Sequence, residues 1–142
     1  MNQPTPAARS RTRRFLLQAL YQAQLTGDDF DAVIDPFVAD HNMKRADIDY
    51  FREVLKGIQD ELETIRNLIT ARLDRGYEEL DPIEKAILLI GTYELQSRID
   101  IPYKVVINEA VELAKSFGAT ESFKYVNSVL DALAIDLRQT ER

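Results

Sequence analysis

Apolar residues recur along this chain at intervals of three and four, the period of a helix with one buried face, and nowhere alternate as a half-buried strand would. Leu16, Leu20 and Ala23, with Phe15 and Ala19 beside them, predict a first helix from about Thr12 to Leu25, closed by Gly27 and the acidic pair Asp28–Asp29. Residues 31–41 (DAVIDPFVADH) keep a helical pattern but contain Pro36, which costs about 3 kcal/mol inside a helix. A short or kinked helix is expected there, followed by a loop over Asn42–Arg45. Asp47 then opens a long seam of Ile48, Phe51, Leu55, Ile58, Leu62, Ile65, Ile69 and Leu73, ended by Gly76. One continuous helix of that length would reach ~40 Å, and periodicity alone does not say where it breaks.

Asp81-Pro82-x-Glu84 combines a capping side chain, a proline at the first helical position and a glutamate at the third, a start signal for a helix running to about Arg98 through Ile83, Ala86, Ile87, Ile90 and Tyr93. Pro102 starts the next helix, with Val106, Ala110, Leu113 and Phe117 on its buried face and Gly118 as a left-handed stop. Thr120 is the expected cap of the last helix, with Glu121 in its first turn and a stripe of Val126, Val129, Leu130, Leu133 and Leu137. Residues 1–8 (MNQPTPAA) carry two prolines and no period, and read as a disordered tail before a single domain over residues 9–142. The fold class is all-α.

Composition narrows the chemistry. With 142 residues and 45% hydrophobic content the chain can build a real core. It has no cysteine and one histidine, His41, which excludes disulfides, thiolate catalysis and a histidine metal cluster; no metal or cofactor is expected. No apolar run approaches the ~20 residues of a membrane span, and no apolar signal core opens the sequence, so a cytoplasmic protein without a membrane partner is expected. Asn108, Asn127 and Glu94 flank apolar helical positions and read as buried groups satisfying hydrogen bonds, not as catalytic residues. No nucleophile and base arrangement or glycine-rich phosphate loop is present, and no enzyme activity is expected.

Charge is distributed unevenly. The net charge is −6, yet residues 1–27 hold Arg9, Arg11, Arg13 and Arg14 without an acid, so the other 14 basic residues face all 24 acids in the rest of the chain. A basic arm on an acidic body suits a protein that touches a polyanion in one place. Arginines at a helix N-terminus oppose the helix dipole by a few tenths of a kcal/mol each, and together with the free N–H groups there would make an anion site. The competing reading is a solvated, mobile arm. Gln18 and Tyr21 share a face of the first helix one turn apart, where Tyr21 is either a half-buried core aromatic or a stacking contact. Glu121-Ser122-Phe123-Lys124-Tyr125 offers a cation and an aromatic able to stack on an unpaired base. Glu78, Glu79 and Glu84 form an acidic stretch, of which Glu84 also belongs to the capping signal.

The stretch PYKVVINEAVELAKSFGATESFKYVNSVLDAL, with YFREVLKGI, LDPIEKAILLIGTYEL and the arginine-rich start ending in LQALYQAQL, resembles the NusB family over nearly the whole chain. The resemblance implies about seven helices in two packed three-helix sub-bundles, with the long seam broken in the low sixties. It also implies an RNA-binding transcription antitermination adaptor whose partners are boxA-like single-stranded RNA, the ribosomal protein NusE and the RNA polymerase antitermination complex. Arg9, Arg11, Arg13, Arg14, Gln18, Tyr21, Glu121, Lys124 and Tyr125 would then border RNA, and Glu78, Glu79 and Glu84 would face NusE. The chain departs from the family pattern where Ser10 interrupts the arginines, Arg14 replaces a frequent acid, Phe123 a frequent histidine and Tyr125 a frequent phenylalanine. Glu121 would repel phosphate. Three questions stay open: whether the free protein is a monomer or a homodimer, whether it serves as the accessory domain of an RNA methyltransferase, and whether it is a helical scaffold for protein alone.

Overall fold

A computed structural model describes residues 5–141 and divides the chain into two compact units, Met1–Asp60 and Glu61–Arg142. Among the described residues there are seven α-helices, two single 3-10 turns and no strand, so the all-α expectation holds.

The first unit opens with α1, Pro6–Thr26. Thr5 caps it, its hydroxyl accepting from the Ala8 N–H at 3.0 Å, and Pro6 occupies the first turn. The helix therefore begins about six residues before the expected Thr12. Pro6–Ala8 belong to it, not to an unstructured tail; residues 1–4 of that tail lie outside the described residues. Gly27 ends α1 at φ 80°, donating to the Ala23 carbonyl at 2.8 Å. A 3-10 turn at Asp31–Val33 leads into α2, Ile34–Asp40, which is short as expected. Pro36 falls in its first turn, where an N–H would have no intrahelical acceptor. α3, Ile48–Asp60, starts under the Asp47 carboxylate, which accepts from the Tyr50 N–H at 3.0 Å. α3 packs on α1, and Phe51, Val54, Leu55 and Ile58 of the one and Leu16, Leu17 and Leu20 of the other are all essentially solvent-free.

The second unit begins where the long seam breaks, at Glu61. α4, Leu62–Thr70, buries Ile65 and Ile69 and stops before the expected Gly76. A 3-10 turn at Tyr77–Glu79 precedes α5, Pro82–Ser97, which starts with the predicted capping box: Asp81 accepts from the Glu84 N–H at 2.8 Å. Ten consecutive α5 residues, Ala86–Leu95, are buried, the mark of a central helix. α4, α6 (Tyr103–Phe117) and α7 (Ser122–Leu137) all pack against it. α5 and α7 approach closely at Gly91, where a Cβ would stand 2.8 Å from Leu130 Cδ1.

Several helix-end expectations change. Gly118 is extended (φ −87°), not left-handed, and a Cβ there would meet the Ala114 carbonyl at 2.8 Å, so it is small for closeness. Thr120 does not cap α7; Glu121 does, in the left-handed region at φ 76° and without a side-chain cap bond. Phe117 is 40% exposed, since α6 ends there and its ring leaves the core. Asn108 and Asn127 are exposed, whereas Glu94 is buried.

Candidate functional site

In the first unit, helical geometry sorts the arginines. Arg11, Arg14, Gln18 and Tyr21 follow one another at three- and four-residue steps and form one accessible stripe of α1. Arg13 faces the other way and is only 3% exposed, which removes it from any surface offered to RNA. Arg9 is largely engaged: its guanidinium lies 4.4 Å from the centre of the Tyr50 ring and 4.0 Å from Asp47. Because α1 begins at Pro6, the arginines start in its second turn. The dipole acts mainly in the first turn, so the predicted union of guanidiniums with free helix N–H groups does not form.

The loop between α2 and α3 completes this face. Arg11 Nε donates to the Arg45 carbonyl at 2.8 Å, the Asp47 N–H donates to Thr12 Oγ1 at 2.8 Å, and Met43 is buried. The result is a groove of about 300 Å3, lined from α1 by Arg11, Arg14, Phe15 and Gln18 and from the loop by Asn42, Arg45 and Ala46. None of these lining residues is acidic. Phe15 is steadied by edge contacts with Phe37 and His41, whose own rings stack at 3.7 Å. Arg45 and Asn42 were not among the expected site residues, because a loop position carries no periodic signal, and Phe15 was read only as part of the apolar face of the first helix. Tyr21 is 37% exposed, consistent with a surface aromatic.

In the second unit, the start of α7 carries Glu121, Lys124 and Tyr125. Lys124 Nζ pairs with Glu121 at 2.6 Å, so this lysine is already occupied by the neighbouring acid. Tyr125 donates its hydroxyl to Asp74 at 3.0 Å, and Arg75 lies 4.2 Å from the centre of its ring. The hydrogen bond from Arg75, and then that from Tyr125, holds the Asp74 carboxyl below its usual range. Burial, and then the bond to Asp74, pushes the Tyr125 phenol up. Arg75 and Asp74 are partners that the linear reading missed.

The acidic stretch is not a free field of charge. Glu78 accepts from Arg66 and Lys85, each at 3.0 Å, and the Lys85 bond holds its carboxyl below the usual range. Glu79 accepts from the Gly76 N–H, and Glu84 receives the Ser122 hydroxyl at 3.1 Å besides closing the α5 cap. Tyr77, beneath Arg66 and Lys85, has its phenol pushed up to about 12 by burial.

Among the described residues, no group of three or more His, Cys, Asp and Glu could hold a metal ion, and no helix is long and apolar enough to cross a membrane. The α1 stripe combines arginines that lack carboxylate partners among the described residues with an exposed aromatic, features suited to binding a polyanion. The NusB family model matches residues 10–134. Transcription antitermination protein NusB of Alcanivorax borkumensis is 51% identical over 99% of this chain and 95% of its own length. Its counterpart in Idiomarina loihiensis is 44% identical over 96% and 99%. The solved structure of T. maritima NusB superposes with a TM-score of 0.82 at 31% identity, covering 94% of each chain. The chain belongs to the NusB family, and these curated relatives are named transcription antitermination proteins.

Proposed function

We propose that this protein is an antitermination adaptor that binds boxA-like single-stranded RNA together with the ribosomal protein NusE, and so promotes processive transcription of ribosomal RNA operons within an RNA polymerase complex. The observation that carries the RNA half is the stripe of Arg11, Arg14, Gln18 and Tyr21, an arginine-rich face free of acids along its groove. Arginine suits the task, because its planar fork meets phosphate and stacks on unpaired bases. Lys124 and Tyr125 would add to RNA binding only by giving up their present partners, Glu121 for the lysine and Arg75 and Asp74 for the tyrosine. The NusE half rests on the family resemblance and on the anionic balance of the rest of the chain, which suits a basic ribosomal partner. Glu78, Glu79 and Glu84 would contribute through the margins left by their internal bonds.

Binding to RNA alone is modest in this reading and rises when NusE is present, because tethering raises the effective concentration of each partner for the other. Filter binding of a boxA-type RNA, with and without NusE, tests it with wild type and an Arg11→Ala/Arg14→Ala double variant. Arg13 is left intact because it is buried. The expected result is weaker binding and a log–log salt slope shallower by ~0.7 for each phosphate the variant no longer neutralises. Unchanged RNA binding by the double variant would leave a scaffold for protein alone.

A further inference from the structure

We propose that the α2–α3 loop completes a nucleotide-binding subsite on the α1 groove, with Arg45 holding a phosphate and Asn42 reading the edge of a base that lies against Phe15. This deepens the RNA reading above and rests on it. Three observations carry it. First, arginines elsewhere in the described chain pair with carboxylates, as Arg52 does with Asp35 and Arg66 with Glu78. Arg14 and Arg45 have no such partner among the described residues, and Arg11 is bonded only to the Arg45 backbone carbonyl. Three guanidiniums bordering one groove repel one another, and an anion placed there relieves all three.

Second, the loop is fixed in place before any ligand arrives. Its backbone is held by Arg11 and Thr12, its turn is closed by the Ala46 N–H on the Met43 carbonyl at 3.0 Å, and Met43 is buried beneath it. Little ordering is then required on binding. Third, the groove has both a polar reader and an apolar wall. Asn42 Oδ1 accepts from the Lys44 N–H at 3.1 Å, which leaves its amide N–H groups without a partner among the described residues and able to donate to a base carbonyl or ring nitrogen. Phe15 offers a ring face already braced by Phe37 and His41. The volume of about 300 Å3 is at the low end for small-ligand pockets, suited to one nucleotide.

The two side chains predict different salt signatures. Arg45→Ala leaves the backbone carbonyl that holds Arg11, so the groove keeps its shape while one phosphate goes unheld. In a titration of boxA-type single-stranded RNA across a salt series, this variant should bind more weakly at low salt with the log–log slope shallower by ~0.7, and Arg45→Lys should restore the slope. Asn42→Ala should weaken binding by about 3- to 10-fold at every salt concentration, with the slope unchanged. Thermal melts check that each variant is folded. Wild-type affinity and slope for Arg45→Ala, with Arg11→Ala/Arg14→Ala still impaired, would overturn the loop's phosphate role alone. Wild-type affinity for Asn42→Ala would overturn the base-reading role. If the Arg11/Arg14 double variant also binds as wild type does, the RNA reading itself fails.

Discussion

Glu121 carries two separable penalties at one position. Its backbone sits at φ 76°, a region that costs an L-residue about 1–2 kcal/mol and that asparagine tolerates better. Its carboxylate also holds Lys124 at 2.6 Å, in a pair with both side chains more than 60% exposed and hence of little worth to stability. Glu121→Asn should therefore stabilise the fold slightly, by about 0.5 kcal/mol, and tighten RNA binding by releasing Lys124 and removing a negative charge. Glu121→Lys should also tighten RNA binding but without the stability gain, because a lysine has the same difficulty with positive φ. Thermal melts and an RNA titration at fixed salt separate the two effects. Weaker RNA binding by Glu121→Asn would mean that this turn does not face the polyanion.

Helix ends hold the least local information and much of the stability. α5 ends at Ser97 with no glycine stop, and its final carbonyls are satisfied from about forty residues away. Arg138, 3% exposed, donates to the carbonyls of Glu94, Leu95 and Arg98 at 3.1, 2.8 and 3.0 Å. Glu141 pairs with that arginine and accepts from the Tyr103 N–H at the start of α6 at 2.7 Å, so three helix ends meet in one cluster. Arg138→Ala should cost about 2–4 kcal/mol and lower the melting temperature by about 5–15 °C. Arg138→Lys should recover only part, since an ammonium lacks the planar fork. A melt of Arg138→Ala within a degree or two of wild type would show that water replaces these bonds. Nothing in the sequence marks this arginine, because capping at such separation follows from packing. By contrast the Asp81–Glu84 box is local, and it was legible. The start of α1 was half legible: Thr5-Pro6 is a start signal, but the segment after it lacks apolar periodicity, and Thr12 and Arg13 are buried despite their polarity. The same division holds for the site. Gln18 and Tyr21 follow from helical spacing and the arginines from their charge, but Arg11 and Arg14 are sorted from Arg13 only once α1 is seen to start at Pro6, and Arg45 and Asn42 join them only when the loop folds back onto α1.

Across the whole molecule, electrostatics should act on folding and on RNA binding with opposite signs. The chain has a net charge of −6, so its folded state carries a self-repulsion that salt screens. The proposed RNA binding would instead draw on cations concentrated along one face of α1 and lose affinity as counterions compete. Three phosphate contacts with a slope of ~0.7 each imply an affinity loss of roughly 10- to 20-fold between 50 and 200 mM salt. Over the same range the urea midpoint of the free protein should hold steady or rise. Urea is uncharged, so the two series can be run in matched buffers. A midpoint that fell in parallel with the affinity would mean that salt loosens the fold and only indirectly the RNA. A steady midpoint with falling affinity would assign the loss to the proposed interface, where Arg11 and Arg14 have no carboxylate partner among the described residues.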